Sequence, residues 1–320
     1  MAIISASRRT DIPAFFPEWF MKRIRSGFFH RLNPFNTRQV RRISLDPADV
    51  DAIVFWTKNP QPLLKYLPEL DQRGHRYYFQ FTLNPYDSRF EPNLPTLDER
   101  IDIFRRLSSD IGPGRVIWRY DPIILSNVTP QEFHVENINR IAAALHGSTE
   151  RLMFSFFSFY AKLKSRISGL ELGHGITICD TSTGGRDQHV YELVRHIDRV
   201  AILHNMAAFS CAEEHDFSSQ GIQHGSCIDG ALIAALFGLL PRFARDRRQR
   251  GACRCVESID MGMYDTCSFT CVYCYANQSG KRIEINLLKH DPESASIIGN
   301  FDIGQEETSK KGVLRQEKLI

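Results

Sequence analysis

No apolar run in this 320-residue sequence approaches the ~18 residues that a membrane-spanning helix requires. The first residues lack a secretory layout too, because Arg8 and Arg9 follow a short apolar stretch and Pro13 soon ends any helix. A cytoplasmic location is therefore expected. Charge of one sign is missing as well: 40 Lys and Arg against 37 Asp and Glu leave +3, too little to argue for a nucleic-acid partner. The one dense basic run, RFARDRRQR over Arg242–Arg250, reads as a solvated linker. There is no P-loop, and Gly112-Pro113-Gly114 precedes a strand pattern rather than a helix, the wrong order for a dinucleotide loop. The 11 histidines include no H-x-x-x-H pair, and no internal repeat is visible.

What remains is an ordinary globular composition, 42% hydrophobic and 24% charged. Apolar runs rich in β-branched and aromatic residues recur at Ile3–Ala6, Ala52–Trp56, Tyr77–Leu83, Val116–Trp118, Leu152–Phe157 and Val200–Cys211. Such runs suit strands covered on both faces. Helix signals lie between them. Pro17 opens a segment that Gly27 ends, and Thr96 with Glu99 forms a capping box. Thr129, Pro130 and Glu132 open a further helix that Gly147 closes, and Gly230–Leu240 is apolar all round. The alternation predicts an α/β fold, a (β/α) partial TIM-like barrel of about six parallel strands. It would occupy residues 1–240, followed by a cysteine-rich cluster segment over 241–277 and a polar, mobile tail over 278–320.

In such a barrel, chemistry sits at the C-terminal strand ends. Those ends supply Arg8, Arg9, Asp11, Lys58, Asn59, Asn84, Arg119, Asp121, Ser155, Cys211 and Glu213. Arg119 and Asp121, in WRYDP, suit binding of a carboxylate or phosphate by an oriented arginine, or a plain ion pair closing the loop. Lys58 suits donation to an anion, and with Asn59 it suits a loop cap equally well.

Eight cysteines are present, and three of them fall in CSFTCVYCYAN as Cys267, Cys271 and Cys274. In a reducing compartment, thiols gathered this way point to metal or redox chemistry rather than to disulfides. A four-iron cubane takes four cysteines, so three leave one iron open to a small molecule, and an open iron points to catalysis. The alternative is zinc, with Cys271 and Cys274 as one knuckle and Cys253 and Cys255 as further ligands. Cys211, Cys227, Cys253 and Cys255 have three readings: a second metal site, a fourth ligand for the first cluster, or small buried hydrophobes. Cys179 stands apart and reads as structural.

The spacing C-x3-C-x2-C with Tyr273 before the last cysteine resembles the signature of the radical S-adenosylmethionine superfamily. The whole stretch, from ISASRRTDIPAF through VFWTKNP, IWRYDP and CAEEHDF to CVESIDMGMYDTCSFTCVYCYAN, resembles a bacterial family of unknown function with such a C-terminal cysteine cluster. That resemblance implies a [4Fe–4S] cluster and S-adenosylmethionine as cofactors, a 5′-deoxyadenosyl radical, and a flavodoxin or ferredoxin as electron donor. It implies Tyr273 beside the cofactor, Glu213 at its amino group, and Lys58, Arg119 and Asp121 near the substrate. The late position departs from the superfamily, whose cysteines follow the first strand. Thr183-Gly184-Gly185-Arg186 is a poor match to its Gly-Gly-Glu motif. Two rival functions stand beside the enzyme: a non-catalytic iron–sulfur or zinc module, and a nucleic-acid repair or modification factor.

Overall fold

The computed structural model describes residues 1–33, 36–179, 188–240 and 243–301. Its strands are β1 (Ala2–Ala6), β2 (Phe28–Asn33), β3 (Asn36–Ser44), β4 (Val50–Thr57), β5 (Tyr77–Thr82), β6 (Val116–Ile123), β7 (Arg151–Phe156), β8 (Ala207–Cys211), β9 (Gln223–Gly225) and β10 (Ile259–Asp260). Eight of them form one parallel sheet in the order β10-β1-β4-β5-β6-β7-β8-β9. β2 and β3 make a separate antiparallel hairpin. Among the described residues no pairing joins β9 to β10, so hydrogen bonds do not close the sheet into a barrel.

Strand residues alternate between two apolar layers, as the two-residue period of a strand requires. Phe55, Phe79, Trp118 and Phe154 face the layer that contains Trp19, Phe20, Phe104 and Ile138 from the helices. Val54, Tyr78, Ile117 and Met153 face the opposite way, onto Leu232, Ile233 and four cysteines, Cys211, Cys227, Cys253 and Cys255. Burial on both faces is why these strands read as near-continuous apolar runs.

Several local signals hold. Pro17 starts the helix Pro17–Ser26, which ends at Gly27 in the left-handed region. Thr96 and Glu99 cap Leu97–Ile111 reciprocally. The run Val200–Cys211 is a correction: it is the end of the helix Gln188–Leu203, a turn, and only then β8. Val200 and Ala201 are apolar because that helix buries one stripe. Gly230–Leu240 is corrected too. Its helix ends at Phe237 and buries Leu232 and Ile233, while Leu240 is exposed.

Of the polar segment expected over 278–320, residues 278–301 dock on the core. Ser279 caps the helix Gly280–Leu287, and Ile283, Ile297 and Ile298 are buried. Trp19 Nε1 donates to the Ser294 carbonyl at 2.9 Å. Residues 302–320 lie outside the described residues. No helix among the described residues is long and apolar enough to cross a membrane.

Candidate functional site

The C-terminal ends of the strands open onto a cavity of about 300 Å³. Arg8 and Asp11 reach it from the turn after β1, Lys58 from the end of β4, Arg119 and Asp121 from β6 and Ser155 from β7. Cys267, Cys271 and Cys274 line the same cavity, as do Cys211, Cys227, Cys253 and Cys255. A second cavity, about 490 Å³, lies between Phe16, Tyr66 and His290 and has no cysteine in its wall.

The late cysteine segment reaches the first strand through Asp260. Its carboxylate accepts from the Ser7 hydroxyl at 2.6 Å, the Ser5 hydroxyl at 3.1 Å and the Arg8 amide at 2.9 Å. The Gly262 amide adds a fourth bond at 3.0 Å. The loop that follows is tied by its backbone. Arg166, from the helix Lys164–His174, donates to the carbonyls of Cys271 (3.2 Å), Cys274 (2.6 Å) and Asn277 (2.8 Å). Asn277 Nδ2 donates to the Cys267 carbonyl at 2.8 Å, and Asn93 Nδ2 to the Ser268 carbonyl at 2.9 Å. With the carbonyls held in this way, the thiols are left for the cavity. Burial, reinforced by Cys274, pushes the Cys267 thiol up to about 12. Burial raises Cys271 as well, although Lys58 opposes it. A cation at this site would reverse both directions.

Lys58 and Tyr273 are not free ends. Lys58 Nζ donates to Glu91 Oε1 at 2.7 Å and to the Tyr273 hydroxyl at 2.9 Å, and that hydroxyl also donates to Glu91. The Lys58 side chain is 15% exposed and Glu91 is 0%, so this is a buried ion pair. Arg100 Nη1 stands 3.8 Å from the other Glu91 oxygen. The Asp11 carboxylate accepts from the Lys58 amide at 2.6 Å and from Ala14 at 3.0 Å, capping the helix Ile12–Phe15. Burial outweighs those bonds and raises Asp11 to about 7. Asn59 caps its own loop, Oδ1 accepting from the Gln61 amide at 3.2 Å.

Arg119 and Asp121 form a buried ion pair, and Ser155 donates its hydroxyl to the second Asp121 oxygen. Burial alone would raise Asp121, but the Arg119 guanidinium and the Ser155 hydroxyl bring it below its usual range. Arg119 Nη1 also donates to Cys227 Sγ at 2.6 Å, and its guanidinium lies 4.9 Å from the Trp56 ring centre. Glu213 stands apart from the cavity wall and accepts from the Phe156 amide at 2.7 Å. Burial raises it to about 7.

Sequence reasoning did not find Glu91, Arg166 or Asp260, which carry no motif of their own. The basic run is not a plain linker. Arg245 donates to the Cys253 carbonyl at 2.9 Å and Asp246 is buried, whereas Arg247 and Arg248 are exposed; Arg242 lies outside the described residues. Cys179, expected to be structural, is exposed. Thr183-Gly184-Gly185-Arg186 lies outside the described residues.

As they stand, no three or more His, Cys, Asp or Glu side chains among the described residues are arranged to hold a metal ion. For Cys211 and Cys227 the reason is contact: their sulfurs are 2.7 Å apart, against about 3.8 Å for thiolates bonded at ~2.3 Å to one tetrahedral ion. For the three thiols of the late loop, a cubane does not require convergence on one point. Its cysteines each bind a different iron, with sulfides between.

No curated protein matches the chain. Among solved structures, the HpcH/HpaI aldolase from Desulfitobacterium hafniense DCB-2 is 11% identical, with a TM-score of 0.25 over 73% of this chain and 88% of that one. That likeness is too weak to carry an argument. A family profile, described as a domain of unknown function (DUF1848), matches residues 3–276 and so takes in every strand and both cysteine groups: the chain belongs to that family.

Proposed function

We propose that the chain is an iron–sulfur enzyme of the radical S-adenosylmethionine kind, with Cys267, Cys271 and Cys274 as ligands to three irons of a [4Fe–4S] cluster. The observation that carries this reading is the meeting of those three thiols with Lys58, Arg119 and Asp121 around one cavity at the strand ends. The order of the sheet supports it. The cysteine loop comes late in the chain, but its strand, β10, pairs parallel with β1 and stands at the head of the sheet. A permuted chain of the superfamily, whose cysteines follow the first strand of a partial barrel, would place its cysteine loop in this way.

When bound, the cluster would offer its open iron to the amino and carboxylate groups of S-adenosylmethionine and supply the electron that yields a 5′-deoxyadenosyl radical for hydrogen abstraction from substrate. The protein's own residues do the positioning. Arg166 and Asn277 fix the backbone of the loop, and Glu91 fixes Lys58 and Tyr273. Arg119 is oriented by Asp121 and lies against Trp56, ready for an anionic group of the substrate. Asp11 caps the helix Ile12–Phe15 and fixes the Lys58 backbone through its carboxylate. Glu213, which accepts from the Phe156 amide beside the cavity wall, is assigned to the cofactor's amino group. The eight strands act as an incomplete barrel, and a flavodoxin- or ferredoxin-type donor in the reducing cytoplasm would supply the electron.

The test is anaerobic incubation of the reconstituted protein with S-adenosylmethionine and dithionite, followed by assay of 5′-deoxyadenosine. Product is expected from the intact chain and not from the triple variant Cys267→Ala, Cys271→Ala, Cys274→Ala. Equal traces from both would remove the enzymatic reading.

A further inference from the structure

Four other cysteines meet on the inner face of the sheet. Cys211 ends β8, Cys227 follows β9, and Cys253 and Cys255 arrive from the segment before β10. Cys211 Sγ and Cys227 Sγ are 2.7 Å apart, and the thiols of Cys227 and Cys253 are both near enough to that of Cys255 to influence its ionisation. All four are buried.

Packing as small hydrophobes does not account for this. Apolar burial has no need to bring four S–H groups together from three separate segments. Nor does it explain two guanidinium groups at the same place. Arg119 Nη1 donates to Cys227 Sγ at 2.6 Å, an arrangement that gains most when the sulfur carries negative charge. Arg8, 5.5 Å from the centre of Trp56, has a buried Nη2 with no hydrogen-bond partner. The backbone around the sulfurs is also fixed. Tyr78 and Gln80 both donate to the Cys227 carbonyl at 2.7 Å, and the Ile228 amide donates to Cys255 Sγ at 3.4 Å. Amide bonds to sulfur and a rigid surrounding shell are what a thiolate centre needs.

We infer that Cys211, Cys227, Cys253 and Cys255 are the four ligands of a second metal centre, an iron–sulfur cluster held entirely by the protein and facing the cavity that the three-cysteine loop also lines. The sulfurs would separate as the centre assembles, each thiol losing its proton. Zinc fits less well, because the spacing C-x15-C-x25-C-x-C contains no C-x2-C knuckle. With every iron bound to cysteine there is no open corner, so this centre binds no substrate atom. Its role, which rests on the function proposed above, is electron supply. An external one-electron donor of the flavin or iron–sulfur class is oxidised as this centre is reduced. The centre is reoxidised when the electron passes to the three-cysteine cluster. Arg8 and Arg119 offset the negative charge of the four thiolates.

The test uses the full chain, reconstituted anaerobically with ferrous iron and sulfide, and reads iron content with the EPR spectrum after dithionite. We expect about eight irons per chain and two signals, of which only one shifts on adding S-adenosylmethionine. The triple variant Cys267→Ala, Cys271→Ala, Cys274→Ala should keep about four irons and the unshifted signal. The double variant Cys211→Ala, Cys227→Ala should lose that signal and keep the other. One signal and about four irons in the unaltered protein would overturn the inference, whatever the variants do. So would a zinc ion that survives in the triple variant and disappears in the double. If the unshifted signal stands and none responds to S-adenosylmethionine, the second centre is upheld and the three-cysteine reading falls.

Discussion

Ser7 and Asp260 are 253 positions apart in the chain and 2.6 Å apart in the fold. The Asp260 carboxylate holds the turn after β1 and the strand before the cysteine loop in one hydrogen-bonded knot, so the site depends on a contact between an early and a late segment of the chain. Gly262 is part of the knot, since a Cβ there would lie 2.7 Å from Ser7 Cβ. Asp260→Ala should cost about 2–4 kcal/mol by leaving several donors without an acceptor. Gly262→Ala should cost about 1–3 kcal/mol through overpacking. Urea denaturation measures both, and iron retained after gel filtration should fall in both.

Removing the lysine of the Lys58–Glu91 pair leaves a carboxylate that is 0% exposed with Arg100, at 3.8 Å, as its remaining ion-pair partner among the described residues. Lys58→Met should therefore cost about 3 kcal/mol, while Lys58→Met with Glu91→Leu should recover most of the loss. A double-mutant cycle in urea checks this. Equal stability of the single variant and the wild type would show that Arg100 alone neutralises Glu91.

Much of the architecture was legible because the responsible signals are local. The apolar runs of β4, β5 and β7 are long and doubly covered, and the capping box of Thr96 and Glu99 lies within four residues. β9 and β10, of 3 and 2 residues, are too short to carry a period and exist only through their neighbours in the sheet. The three-cysteine loop announced itself by spacing. For the other four a second metal site was one of three readings, because their meeting is produced by sheet order over 45 positions of chain, from Cys211 to Cys255. Arg166 and Glu91 were invisible for the same reason: one acts on carbonyls and the other on partners far along the chain.

Glu213 should set part of the pH dependence of stability. Its folded value is about 7 against an ordinary 4.5, because burial favours the neutral acid. The fold thus binds the proton more tightly than the unfolded chain. This contribution is fully present below about pH 4.5 and is lost as pH rises through 7. Glu213→Gln keeps an acceptor for the Phe156 amide and removes the titration. The variant should show a flatter profile between pH 5 and 8 and gain on the order of 1 kcal/mol at pH 8, since partial solvent contact limits the effect. Denaturation midpoints at the two pH values check the sign.

Arg166→Ala should lower iron retention more than it lowers stability. The three carbonyls it holds, at 3.2, 2.6 and 2.8 Å, belong to the loop and not to the core. We expect a stability loss of about 1–2 kcal/mol. Iron bound after gel filtration should drop severalfold, with the signal that responds to S-adenosylmethionine affected first. Full iron retention would assign the arginine to packing alone.

The pairing of β10 with β1 has a consequence for biosynthesis. Until Ile259 and Asp260 leave the ribosome, β1 presents an unpaired edge, and the three-cysteine loop that follows β10 has not yet been made. The nascent chain can build most of its sheet in this interval but stays open to wrong partners along that edge. On the function proposed above, the three-cysteine cluster would load only once β10 and the loop after it are made, so a chain terminated before Ile259 would be aggregation-prone and lack that centre.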